Sequence, residues 1–162
     1  WNVTHSVPTG LYWVGDPAAL AVDDRVAIEP PAAIQRLLAE RGYLPAGVPL
    51  LKRVAAVSGQ RVCRFRHGVT IDGQLAALAL ANDRMGRPLP VWSGCHVLGP
   101  GEILTLNPDQ PASFDGRYFG PLPANAVTGR AVPVWTDEHG NGRRVWFAQA
   151  QTSSVFTPKQ GE

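Results

Sequence analysis

Apolar positions come in short runs broken by proline and glycine, and the periods they follow assign most of the chain. Residues 1–14 are apolar and aromatic, interrupted by Pro8 and Gly10. They predict an extended lead-in, a turn and a short strand over 11–14 that Asp16-Pro17 ends. A second strand is expected over 25–28, closed by Pro30-Pro31. Ile34, Leu37 and Leu38 recur at helical spacing, so a helix is predicted over 32–41, with Gly42 as its C-terminal glycine. Strand patterns return over 50–57, 61–65 and 70–71, the last turning at Asp72-Gly73. Val62, Arg64 and Arg66 alternate with Cys63 and Phe65, which reads as a hairpin strand with one solvated face. Further strands are expected over 103–106, 126–134 and 143–148, with a hairpin turn at 139–142. No internal repeat is visible. Residues 1–150 read as one domain and 151–162 as a C-terminal tail. Eight to ten short strands with one or two short helices make the fold class mainly β, an irregular barrel or sandwich.

Composition agrees with that picture. The 17 glycines and 15 prolines make up 32 of 162 residues, well above ordinary usage, as a turn-rich β chain requires and a helical bundle does not. The hydrophobic fraction of 44% and charged fraction of 17% belong to a folded chain. A net charge of +2 is too small for an electrostatic nucleic-acid binder, and no apolar run reaches the ~18 residues of a membrane helix. The chain begins at Trp1 and its one methionine is Met85, so a processed or trimmed N-terminus is expected.

Several chemistries lack their residues. His5, His67, His96 and His139 show no metal-ligand spacing, and no phosphate loop is present because Gly99-Pro100-Gly101 precedes a strand. No cofactor or metal is expected. The Arg64, Arg66 and His67 cluster reads as a solvated strand rather than an anion site. Asn2-Val3-Thr4 is a glycosylation sequon of the kind that arises by accident. His5 and Ser6 are neighbours on an extended chain and project to opposite sides, so His5 does not serve as the base for Ser6.

The cations are lopsided: 13 arginines against two lysines, Lys52 and Lys159. Lys52 stands in Pro49-Leu50-Leu51-Lys52-Arg53-Val54-Ala55-Ala56-Val57, a segment that reads as a largely buried strand. Burial disfavours an ammonium ion, and a neutral amine near pH 7 is a competent general base. The alternative is a lysine that snorkels to water from a strand edge. A hydroxyl for such a base is offered by Ser6, held ahead of the bend that Pro8 and Gly10 impose, although a serine before a proline turn is also ordinary loop chemistry.

Three segments then resemble, in order and spacing, the type I signal peptidases. Ser6-Val7-Pro8-Thr9-Gly10 resembles the nucleophile box, Lys52-Arg53-Val54 the lysine box, and Arg25-Val26-Ala27-Ile28 the strand between them. Ser113-Phe114-Asp115-Gly116-Arg117-Tyr118-Phe119-Gly120-Pro121-Leu122-Pro123 resembles the last box. Thr4 ahead of the Ser-x-Pro-x-Gly-x-Tyr segment, and Arg41-Gly42-Tyr43-Leu44 before Leu50, resemble the conjugative-transfer (TraF-type) branch, whose members process the pilin of a mating apparatus and in some cases join it head to tail. Departures are present: Ala56-Val57-Ser58-Gly59-Gln60 replaces the usual Gly-x-Pro-Gly-Asp, and Gly116 stands where the wider family has serine.

The resemblance implies roles. Ser6 is the nucleophile and Lys52 the general base, with Ser113 orienting the amine. The Thr4 hydroxyl and the Ser6 N–H meet the oxyanion. Asp115 and Arg117 form a supporting ion pair, unless Asp115 sets the proton state of Lys52. Val3, Pro8, Leu50 and Leu51 contact the substrate, which would lie along Val3-Thr4 and 49–51 as an added strand. The implied partners are an exported protein or pilin precursor and the inner-membrane surface, with no nucleic acid. The implied location is the periplasmic face of the bacterial inner membrane, with an N-terminal anchor missing from this sequence. In that compartment Cys63 and Cys95 are expected to pair as a disulfide, the alternative being two buried thiols. The rival readings are a general signal peptidase removing leader peptides, and a non-catalytic periplasmic interaction domain of a secretion apparatus.

Overall fold

The computed structural model describes residues 1–2, 6–17 and 19–148. Val3, Thr4, His5 and the expected tail at 151–162 lie outside the described residues. The strands are β1 (Thr9–Gly15), β2 (Arg25–Ile28), β3 (Leu50–Ala56), β4 (Arg61–Phe65), β5 (Gly68–Ile71), β6 (Gln74–Leu78), β7 (Gly94–Val97), β8 (Glu102–Leu106), β9 (Leu122–Pro123), β10 (Val127–Asp137) and β11 (Val145–Trp146). Among the described residues two α-helices, α1 (Ala32–Glu40) and α2 (Gly116–Phe119), and a 3-10 turn at Ala124–Ala126 interrupt them. The fold is mainly β, as the turn-rich pattern requires.

A seven-stranded antiparallel sheet runs β1-β10-β2-β3-β8-β9, with β11 also paired to β10. A second sheet of four strands runs β6-β5-β4-β7. β3 is central in the first sheet: Val26 stands opposite Lys52, and Val54 opposite Thr105. Every second residue of β3 is buried, Leu50, Lys52, Val54 and Ala56, so the alternation that makes a half-buried strand here places a lysine among apolar neighbours. Leu38 of α1 joins Val26, Ile28, Leu44, Leu50, Val54, Ile103, Leu122 and Val127 in one core. A second core, Ala56, Val62, Val69, Ala77, Leu98, Leu104 and Leu106, joins residues of both sheets. Cys63 and Cys95 stand opposite each other on β4 and β7 and form a disulfide.

Three expectations are corrected. Arg64 does not lie on a solvated face: Val62, Cys63 and Arg64 are all buried, and Arg64 is 2% exposed. Its guanidinium donates to the Arg117 carbonyl and lies 5.9 Å from the centre of the Tyr118 ring, so the side chain reaches across to α2 instead of into water. Arg66 leaves the strand altogether, taking φ of 52° in the turn to β5. The strand expected over 143–148 is reduced to Val145–Trp146, since Phe147 adopts φ of 48° and breaks the ladder. β6, with sequence QLAAL, carries no β-branched residue; pairing with β5 makes it a strand despite its helix-forming composition.

Candidate active site

Lys52 is 1% exposed, which excludes snorkelling. Its Nζ donates to Ser113 Oγ at 2.9 Å. Burial is the main influence on the amine and lowers its pKa from 10.5 to about 8; Asp115 pushes it up and Arg117 pushes it down. The amine is therefore substantially unprotonated at mildly alkaline pH.

The segment after β8 supplies the surroundings. Asp115 caps α2, its carboxylate accepting the Arg117 backbone N–H at 3.2 Å and the Asn107 N–H at 2.9 Å. The Arg117 side chain forks onto the same carboxylate, Nε to Oδ1 at 2.8 Å and Nη2 to Oδ2 at 2.9 Å. Both residues are essentially inaccessible to water, at 0% and 1% exposure. The remaining guanidinium hydrogens reach backbone carbonyls, Asn107 at 2.8 Å and Leu78 at 3.1 Å among them. A buried ion pair survives only when its other donors and acceptors are satisfied, and this one is. Gly116 is required between the two: a Cβ there would stand 2.6 Å from the Thr105 carbonyl oxygen and 2.8 Å from Leu104 Cδ1.

Asn107 was not among the candidates from sequence. Directly after β8, its Oδ1 accepts the Arg53 N–H at 3.0 Å and its Nδ2 donates to the Leu51 carbonyl at 3.4 Å. A polar residue ending the apolar run Ile103-Leu104-Thr105-Leu106 was the available signal, but Asn before Pro108 reads as an ordinary turn.

Ser6 occupies a turn fixed from several directions. Asn2 and Gly10 exchange backbone hydrogen bonds of 2.7 and 2.9 Å, and Asn2 Nδ2 donates to the Val7 and Pro8 carbonyls. Tyr12 Oη donates to the Pro8 carbonyl at 2.7 Å. Gly10, at φ of 143°, passes so close to β10 that a Cβ would lie 2.2 Å from the Trp135 carbonyl oxygen. Val7 is buried with Tyr12 and Ala131, with Leu51 packed against them. The turn forms one wall of a cleft of about 360 Å³ whose lining includes Ser6, Pro8, Arg25, Arg53, Asn107 and Glu138. Arg25 and Glu138 are ion-paired at 2.9 Å.

Of the residues singled out from sequence, the structure buries Lys52 bonded to Ser113 and Asp115 bonded to Arg117, the ion pair acting electrostatically on the amine, and places Ser6 and Pro8 on the cleft wall. Leu50 packs into the main core and Leu51 against the cluster of Val7, Tyr12 and Ala131. Val3 and Thr4 lie outside the described residues. Among those described, no group of His, Cys, Asp and Glu is placed to hold a metal ion, and no helix is long and apolar enough to cross a membrane.

The family model for signal peptidase, peptidase S26, matches residues 1–136. The chain belongs to this family. Curated relatives of this signal peptidase S26 member carry a common name. A plasmid transfer protein TraF from Escherichia coli is 33% identical over 83% of this chain and 81% of its own. A probable conjugal transfer protein TraF from Sinorhizobium fredii is 40% identical, covering 83% of this chain and 76% of its own. The conjugal transfer protein TraF of Agrobacterium fabrum is 37% identical, covering 83% and 81%. Among solved structures, a signal peptidase I from Enterococcus faecalis V583 matches with a TM-score of 0.39 at 20% identity, covering 69% of this chain and 96% of that one.

Proposed function

We propose that this S26-family chain is a serine endopeptidase with a Ser6–Lys52 dyad that processes an exported precursor, the pilin of a conjugative transfer system. The observation that carries the reading is the buried Lys52 amine, hydrogen-bonded to Ser113 and lowered to about 8. A lysine so placed costs folding energy, and catalysis is the use for a free amine in such surroundings. The pilin assignment is supported by relatives named for plasmid and conjugal transfer. The disulfide supports an oxidising compartment such as the periplasm, where the inner-membrane surface would be the neighbouring partner.

In this reading Ser6 Oγ attacks the scissile carbonyl while Lys52 Nζ takes its proton. The tetrahedral oxyanion is met by the Ser6 N–H and the Thr4 hydroxyl, donors of a kind worth roughly 3–4 kcal/mol when preorganised. The Lys52 ammonium then gives its proton to the departing amine, the C–N bond breaks and an acyl-enzyme forms on Ser6. Lys52, again neutral, activates a water that releases the new carboxylate; attack by a peptide amine instead would give a cyclic product. Ser113 keeps the amine lone pair aimed by accepting one of its hydrogens. Asp115 and Arg117 touch no reacting atom; they fix the segment that carries Ser113 and pull the Lys52 pKa in opposite directions.

The test compares wild type with Ser6→Ala and Lys52→Ala on a pilin-precursor peptide, read by mass spectrometry. Processing by wild type alone is expected, and equal processing by all three proteins defeats the enzyme reading. A generic leader peptide cut as fast as the pilin peptide would replace the pilin assignment with general leader removal.

A further inference from the structure

Resting on that dyad, we infer that Asn107 is a positioning residue for the reaction, holding the β3 segment that carries Lys52 in register with the segment that carries Ser113 and Asp115. β8 pairs with β3 as far as Leu106 opposite Arg53 and then ends. Beyond that point the strand edge at Lys52 would face a loop. The Asn107 carboxamide substitutes for the missing peptide group: its oxygen takes the Arg53 N–H and its NH₂ group gives to the Leu51 carbonyl. Those two backbone groups flank Lys52 on one edge of β3, as groups two apart on a strand must.

The backbone of Asn107 is committed as firmly. Its N–H donates to Asp115 Oδ2 at 2.9 Å, and its carbonyl accepts Arg117 Nη2 at 2.8 Å. One residue, 5% exposed, thus ties both sides of Lys52 to both members of the buried ion pair. Ser113 lies in the same loop, between Asn107 and Asp115, so the Nζ to Oγ distance of 2.9 Å depends on this clamp. The β2 ladder holds the other edge of β3, with Val26 opposite Lys52, so the Asn107 carboxamide is what ties the β8-side edge at this point.

Removing the carboxamide would let β3 relax and admit water around the amine. The charged groups that act on Lys52 are Asp115, raising its pKa, and Arg117, lowering it; burial outweighs both. Better hydration would therefore move the Lys52 pKa upward, toward 10.5.

The experiment measures kcat and KM on the pilin-precursor peptide from pH 6 to 10 for wild type, Asn107→Ala and Asn107→Ser, with thermal unfolding of each. The expected result is a fall in kcat of about tenfold with KM within about twofold of wild type, and an ascending limb of the kcat profile displaced to higher pH. A limb that stays at the wild-type position in a folded variant, or a loss confined to KM, overturns the inference. Should Asn107→Ala fail to fold, the same criteria are read on Asn107→Ser, which keeps a polar group at the site. Failure of the dyad itself would appear separately, as wild-type protein that does not cut or a Lys52→Ala protein that does.

Discussion

Replacing Lys52 by methionine tests the energetics of the site without any substrate. The folded chain holds the Lys52 proton with a pKa of about 8, while the unfolded chain holds it at the ordinary 10.5. Below pH 8 the difference corresponds to a folding penalty of roughly 3 kcal/mol. Between pH 8 and 10.5 the unfolded chain binds more protons than the folded one, so stability rises with pH and the penalty disappears. Methionine fills a similar volume and carries no charge, but it leaves the buried Ser113 hydroxyl without the Lys52 amine, a loss of about 1 kcal/mol. Lys52→Met is thus expected to be the more stable protein at pH 7, by about 2 kcal/mol, or about 4–8 °C in Tm for a chain of this size. At pH 10 the advantage should vanish or reverse. The assay is urea or thermal unfolding of both proteins, disulfide intact, at several pH values; groups titrating elsewhere cancel in the difference. A gap that is the same at pH 7 and pH 10, or a methionine variant less stable at pH 7, would refute the assignment of Lys52 as a desolvated amine.

Other consequences follow from the packing. The Cys63–Cys95 bridge spans a sequence separation of 32, for which the chain-entropy estimate is about 4 kcal/mol, so a Cys63→Ser, Cys95→Ser protein should show a correspondingly lower urea midpoint. Gly116→Ala forces a methyl against the Thr105 carbonyl and Leu104, costing about 1–3 kcal/mol in unfolding experiments. Because Gly116 lies between Asp115 and Arg117, the same variant should also lose processing activity in proportion to the displacement of α2. Gly10→Ala meets the Trp135 backbone at an unfavourable φ, and should lower activity through the Ser6 turn as well as lower Tm.

Much of this was legible along the chain, for local reasons. The boundaries of β2 and β4, and the start of α1, follow from proline, glycine and apolar period alone, since those signals act within a few residues. Lys52 stood out because lysine is rare here and its neighbours are apolar. Arg64 misled for a related reason: an alternating Arg reads as a solvated face, yet its partner is the Arg117 carbonyl on α2, more than 50 residues away in sequence. No local pattern announces a cation destined for a backbone carbonyl. Asn107 was hidden by the same long-range logic. Asn before proline is turn chemistry in nearly every context, and only the pairing of β3 with β8 shows that its side chain completes a ladder.

Asp115 and Arg117 make opposite demands on Lys52, and their balance explains why the amine keeps a low pKa beside a carboxylate. Asp115 alone would stabilise the ammonium, yet both its oxygens are engaged by Arg117, whose positive charge lies in the same buried space. The two influences oppose each other and burial is left in control. The halves of this one ion pair should therefore move the Lys52 pKa in opposite directions. Arg117→Met removes the opposing cation, frees the carboxylate to act on the amine, and shifts the ascending limb of activity to higher pH. Asp115→Asn removes the stabilising anion and shifts it to lower pH. Each variant strands one buried charge and should lose roughly 3–5 kcal/mol of stability, so the profiles are best collected at low temperature. Stability loss alone would depress activity at every pH alike. Opposite displacements from two variants of comparable instability can come only from the charges, and limbs that move together would show that this ion pair is scaffolding with no electrostatic hold on Lys52.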